Sequence, residues 1–244
     1  MKASPNDQKE LLRLQAADTK VQQLNHIANN LPQLAELAIL APQVESVRQR
    51  LNARNGELED ARIELHRIES DVEVVEARIA RDSGRLEQTS SMKDVQGLET
   101  ELASLRKRRD DLEEIELTVM ERIEGIESAA AEIETERATL AKQVDALEAA
   151  VDAERSTIDA QKKALGADRA AVSATLPEDL VALYEKQRAR YGIGAALLVR
   201  GVSMGSNVTL TESDLAVLRR SAPDEVALCP DSGAILVRNE ESGL

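Results

Sequence analysis

Two short turns in the last quarter of the chain hold the residue types from which a chemical site could be built. Ser203-Met204-Gly205-Ser206 and Cys229-Pro230-Asp231-Ser232-Gly233 are separated by 22 residues, and each sets two short side chains three positions apart. With cysteine at all four positions, such turns would be the two knuckles of a tetrahedral zinc site. Here only Cys229 carries a thiol, and the two histidines, His26 and His66, lie far upstream. A neutral hydroxyl is a poor substitute for thiolate or imidazole, so Cys229 and Asp231 alone would leave the ion under-coordinated. No metal and no cofactor are expected. The sequence predicts instead that Ser203, Ser206, Cys229 and Ser232 survive as vestigial ligand positions in turns closed by hydroxyl and amide hydrogen bonds. Stability would then come from Leu197, Val199, Leu215, Leu218, Val226, Leu228, Ile235 and Val237. The plainer alternative is a pair of Gly/Ser turns that never held metal.

Other chemistry is thinly represented. Cys229 has no histidine near it in sequence, and His26 and His66 have no consistent partner for acid-base or nucleophilic work. Acidic pairs are abundant, but in a chain with 31% charged residues they read as a solvated helix face. No phosphate-binding glycine loop occurs. No enzyme is expected, and no catalytic residue is assigned.

Basic residues offer a binding chemistry. Lys186, Arg188, Arg190, Arg200, Arg219, Arg220 and Arg238 lie in or beside the C-terminal segment. Lys93 and the run Arg106-Lys107-Arg108-Arg109 lie further upstream. Against them, residues 177–244 carry ten acids to seven bases, and the net charge is −14. With only Tyr184 and Tyr191 as aromatic platforms, any nucleic-acid contact would be electrostatic and sensitive to salt.

These residues must be positioned by an unusual scaffold. Of 244 residues 42% are hydrophobic, yet there is no Phe or Trp, so the apolar surface cannot be buried in a ring-rich globular core. Counting in sevens gives Val44, Leu51, Leu58, Leu65, Val72, Ile79 and Leu86, then Leu98, Leu105, Leu112, Val119, Ile126, Ile133, Leu140 and Leu147. Unbroken heptads of this kind are coiled-coil seams. The companion row is less pure, with Arg54, Asp82, Arg109, Glu116 and Arg137 interrupting it. Between the runs, Ser91 followed by Asp94 predicts a new helix start. The two runs therefore form an antiparallel hairpin with its tip near 87–94, Val44 opposite Leu140 and a paired arm of roughly 60 Å. Pro32 in "NNLPQ" separates an N-terminal helix, giving the division 1–31, 32–172 and 173–244. The last part reads as a small α+β module: a helix from Pro177, the strand "AALLVRGV", a short strand "NVTL", a helix opened by Thr211, and strands "EVALC" and "AILVR" about the turn "PDSG".

In order and motif the chain resembles the bacterial C4-type zinc-ribbon, coiled-coil hairpin family over essentially its whole length. In that family Cys-x-Gly-Cys precedes the short helix and Cys-Pro-x-Cys-Gly precedes the last strand. Gly205, Pro230, Gly233, "AILVR" and the tip segment "MKDVQGLETEL" match, whereas three of the four ligands do not. The fold implied is mostly α, a long antiparallel coiled-coil hairpin with a small C-terminal zinc-ribbon-like module. The resemblance also implies a nucleic-acid or transcription association. Together with the residues, it predicts a non-enzymatic adaptor or regulator of the transcription or translation machinery. Its partner would be a protein such as a ribosome or RNA polymerase component, with direct RNA binding as a further element; the alternative is a purely structural protein-protein scaffold. The single cysteine excludes an intrachain disulfide, and the absence of a signal-like or 18-residue apolar stretch predicts a cytoplasmic protein without membrane contact. Monomer and homodimer both remain open.

Overall fold

The computed structural model describes every residue from Met1 to Leu244. Helix α1 (Pro5–Asn29) begins where Ser4 accepts a hydrogen bond from the Asp7 N–H at 3.1 Å and Pro5 supplies a first residue that needs no donor. It stops at Asn30, and helix α2 (Pro32–Gln88) restarts at the proline. Pro42 lies inside α2 without ending it. The residues 89–91 form the tip, and helix α3 (Met92–Ala174) begins after Ser91, whose carbonyl accepts from the Val95 N–H at 3.0 Å.

The chain divides into two compact units, Gln33–Ala149 and Met1–Pro32 with Ala150–Leu244. This differs from the three-part division read from sequence. The prolines do mark helix boundaries, but the C-terminal part of α3 packs with α1 and the small module through Leu11, Leu14, Val172 and Leu176.

The first unit is the antiparallel hairpin. Its seam packs Leu65, Ile68 and Val72 against Leu112, Val119 and Ile123, and Val44 and Leu140 line one groove, which is the expected register. Across the seam Arg50 pairs with Glu136 at 2.6 Å, Arg62 with Glu127 at 2.7 Å, Arg122 with Glu64 and Arg78 with Glu101. Exposed pairs of this kind contribute at most about 1 kcal/mol each, so they fix register while apolar burial holds the helices together. On α2 the impure companion row is the more deeply buried one, with Val47, Ala61, Ile68 and even Asp82 inside. Asp82 is tolerated because Arg85 and Arg78 of the same helix close on its carboxylate at 3.2 and 3.9 Å.

In the second unit helix α4 (Glu178–Tyr191) ends on Gly192 in the left-handed conformation. Strands β1 (Ala195–Val199), β2 (Val202–Ser203), β3 (Val208–Thr209), β4 (Ala227–Leu228) and β5 (Ile235–Val237) form a sheet of order β3-β2-β1-β5-β4. Helix α5 (Glu212–Arg220) is capped by Thr211, which accepts from the Asp214 N–H at 3.2 Å. The β1–β2 loop is Arg200-Gly201, both at positive φ, as a two-residue hairpin with the right-handed strand twist requires. Strands β1 and β5 pair in parallel, and Lys2 forms a bridge with Glu225 at the sheet edge. Two apolar clusters result: Tyr184, Leu180, Ile235 and Val237 against α1, and Leu198, Leu215, Leu218 and Leu236 under α5. Leu228, expected in the core, is instead 46% exposed, because side chains alternate along β4 and Ala227 takes the place against the α5 cluster. No helix is long and apolar enough to cross a membrane.

Candidate functional site

The two turns singled out from sequence are built to one plan. In the first, the Asn207 N–H donates to the Ser203 carbonyl at 2.8 Å, the Gly205 N–H to Ser203 Oγ at 3.4 Å and the Val208 N–H to Ser206 Oγ at 3.4 Å. In the second, the Gly233 N–H donates to the Cys229 carbonyl at 2.9 Å and the Ala234 N–H to Ser232 Oγ at 3.4 Å. Ser203 thus corresponds to Cys229, Ser206 to Ser232 and Asn207 to Gly233. The last two share a positive φ, 57° and 68°. The turns face one another: Ser206 Oγ lies 3.9 Å from Cys229 Sγ, and a Cβ on Gly205 would sit 3.5 Å from Ser232 Oγ and only 2.8 Å from Ala196 Cβ. Glycine is needed at 205 for that close approach.

The four positions read from sequence are therefore brought together, with Ser203 and Cys229 buried. Burial pushes the Cys229 thiol up. Hydrogen bonds to sulfur from the Ser232 hydroxyl and N–H, the Ser203 hydroxyl and the Asp231 N–H more than offset this and leave it below the ordinary thiol value. The donor set of one thiol and three hydroxyls does not fit a structural zinc ion. No group of three or more His, Cys, Asp or Glu side chains could hold a metal anywhere in the chain.

The lowered thiol value has a consequence for stability. Between the folded value and the unfolded one, about 8.5, the unfolded chain binds more protons. Stability is thus expected to rise with pH up to the unfolded value and to be lost as pH falls through the folded one. Thermal melts of wild type and Cys229→Ser between about pH 6 and about pH 9 check this. Wild type should gain on the variant as pH rises, and parallel curves would show that the sulfur is not held as described.

A second polar cluster was not visible in the sequence. Asp18 of α1 is buried, accepting from the Tyr184 hydroxyl at 2.6 Å and from Arg169 Nε at 2.8 Å, with Arg188 Nε at 3.4 Å. Glu185 closes the ring on Arg169 and, at 2.7 Å, on Arg188. Burial, together with the Asp18 carboxylate that its hydroxyl bonds, pushes the Tyr184 phenol up. Burial would raise Glu185, but the Arg188 and Arg169 guanidinium groups hold it below the usual carboxylate range. Beside this ring Gln15 Oε1 accepts from the Gly194 N–H at 2.8 Å and the Ala195 N–H at 3.3 Å, joining α1 to the start of β1. The available signal was Asp18 itself, which falls on the stripe of Leu11 and Leu14.

The candidate basic contacts separate into committed and free side chains. Arg188 belongs to the Asp18 ring, and Arg219 pairs with Glu212 at 2.6 Å. Arg238 donates to the carbonyls of Leu218, Ser221, Ala222, Pro223 and Glu225 at 2.6 to 3.3 Å, closing the C-terminal end of α5 and the loop after it. Arg190 stacks over the Tyr191 ring at 5.1 Å. Lys186, Arg200 and Arg220 are exposed. In the hairpin unit Arg109 is held by Asp110 at 2.8 Å and Glu113 at 3.2 Å. Lys93, Arg106, Lys107 and Arg108 are exposed and make no ion pair.

Residues 14–192 match the family model described as the CT398-like coiled coil hairpin domain. The uncharacterized protein Rv2229c of Mycobacterium tuberculosis is 32% identical over 245 residues, covering 98% of both chains. A solved structure from Mycobacterium smegmatis is 32% identical, with a TM-score of 0.87 over 98% of this chain and 100% of that one. CT398 of Chlamydia trachomatis shares the fold at 18% identity, with a TM-score of 0.66 over 95% of this chain and 97% of its own.

Proposed function

The chain belongs to the CT398-like coiled-coil hairpin family, and from that footing we propose that it is a non-enzymatic adaptor acting on the transcription or translation machinery, which it engages through cations near the hairpin tip. The observation that carries this reading is the run Arg106-Lys107-Arg108, three exposed positive charges without ion-pair partners in a chain whose net charge is −14. They lie about 15 residues from the tip loop, roughly 22 Å along α3. In an acidic protein such a run makes a local band of positive charge that winds around the helix, with Asp110, Asp111, Glu113 and Glu114 following it, which favours contact with a partner that wraps the arm over general polyanion coating. The partner is a protein component of the machinery; RNA contacted through the same cations is a second reading favoured by the same run.

Charge reversal of Arg106, Lys107, Arg108 and Arg109 to Glu tests the proposal. Binding to partner or RNA is expected to fall, with helicity by circular dichroism largely kept because three of the four side chains are exposed and make no ion pair. For RNA, the log-log salt slope should drop by about 2 as three phosphate contacts are lost. Equal loss of helicity and binding would make the run ordinary helix surface.

The two turns support a further reading, that they are zinc knuckles whose ligands have been replaced. One hydrogen-bonding plan at both turns, with oxygens at three of the four positions that face one another, is what a former C4 site would leave behind.

A further inference from the structure

Glycines lie inside both long helices, Gly56 and Gly84 in α2 and Gly97, Gly125 and Gly166 in α3. None is there for want of room. A Cβ on any of them would meet nothing within 4 Å, and none adopts the left-handed backbone that disfavours other residues. Alanine would fit at each position, and relative to alanine each glycine weakens the helix locally by roughly fivefold in the helix-coil equilibrium.

Four of these glycines are placed together. Gly56 and Gly84 stand 28 residues apart, as do Gly97 and Gly125, so each pair recurs after four heptads and shares one face of its helix. That face points away from the seam: Gly56, Gly97 and Gly125 are exposed and Gly84 is half-buried. The antiparallel register then brings the helices' glycines level. Arg54 and Glu57, which flank Gly56, share a groove with Arg122 and Ile126, which flank Gly125. Arg78 pairs with Glu101, and six residues past the first and four before the second, toward the tip, stand Gly84 and Gly97.

We propose that the two level pairs, Gly56 with Gly125 and Gly84 with Gly97, are joints at which both helices of the hairpin yield together. A weak point in one helix of a two-helix coil is braced by an unbroken partner, so bending needs both backbones to give at the same height. Paired glycines meet that requirement, and scattered ones do not. Gly166 is the scattered case: beside it, where Arg169 of α3 meets Asp18, α1 has no glycine. The joints are roughly 42 Å apart along the arm. Between them Leu65, Ile68 and Val72 pack against Leu112, Val119 and Ile123, which keeps that segment stiff and holds the Arg106-Lys107-Arg108 run upon it. Beyond the outer joint lies the tip, with Met92 84% exposed, free to reorient without disturbing the cations.

Native-state hydrogen exchange of the full chain, resolved along the sequence by mass spectrometry, tests the joints. Wild type should show minima of protection at both levels and on both helices, with the strongest protection between them. Gly56→Ala should slow exchange roughly fivefold around residue 56, and it should also slow exchange around Gly125 on the other helix. Gly125→Ala should do the reverse. Gly166→Ala should slow only its own turns of α3. An effect of Gly56→Ala confined to α2 would mean independent helix weakening and would overturn the proposal. So would even protection through all four glycines, or a Gly166→Ala effect that spreads to α1 as strongly.

Discussion

Converting Ser203, Ser206 and Ser232 together to Cys is expected to create a zinc site that the natural chain does not have. The argument rests on the shared plan of the two turns. The N–H groups of Gly205, Val208 and Ala234 already point at the three hydroxyl oxygens, and Asn207 and Gly233 already hold the positive φ that follows each second position. Sulfur in place of those oxygens would meet the Cys229 thiol as a fourth ligand in a pocket where Ser206 and Cys229 are 3.9 Å apart. Structural zinc in four-ligand peptides is bound with about 10–16 kcal/mol near neutral pH. The variant should therefore carry one zinc per chain by elemental analysis, and a chelator should lower its melting temperature. Wild type should purify without stoichiometric zinc and melt unchanged by chelator. Failure of the triple variant to take up metal would show that the turns do not hold ribbon geometry.

The second large effect concerns the ring around Asp18. Asp18→Ala would leave the buried Tyr184 hydroxyl without its acceptor and Arg169, which is partly exposed and keeps Glu185, without one of its two carboxylates, so the loss falls at the low end, about 3 kcal/mol, of the cost of breaking a buried pair from one side. Tyr184→Phe removes one hydrogen bond to a charged group and should cost less, about 1.5–3 kcal/mol. Because the ring ties α1 to α3 and α4, the loss should appear as early melting of the small module while the helicity of the hairpin unit persists. Thermal unfolding followed at both far- and near-ultraviolet wavelengths separates the two. Equal melting temperatures for wild type and Asp18→Ala would show that the ring contributes nothing net.

What the sequence made legible follows from which signals are periodic. The heptad rows from Val44 and Leu98 fixed the hairpin and its register, since an apolar residue every seventh position has one economical burial. Pro32, Ser91 and Thr211 marked helix ends through local backbone chemistry, and each sits within a residue or two of an observed boundary. The parallel pairing of β1 with β5 and the bridge from Lys2 to Glu225 join segments far apart in the chain, and nothing in either segment names its partner. Asp18 and Arg238 were hidden for a different reason. On a chain this highly charged, an acid on a helix and an arginine after a strand look solvated, and only the packing shows one gathering buried donors and the other closing a ring of five carbonyls. The serines of the two turns were legible as positions, but their hydrogen-bonding plan was not, because it depends on backbone N–H directions.

The most direct test of the adaptor account is affinity purification of the tagged chain from nuclease-treated extract, comparing wild type with the variant reversed at Arg106, Lys107, Arg108 and Arg109. Quantitative mass spectrometry should find ribosomal or RNA polymerase components enriched with wild type and depleted with the variant, nuclease notwithstanding. Equal recovery with both chains, or no component of either machinery with wild type, would contradict it.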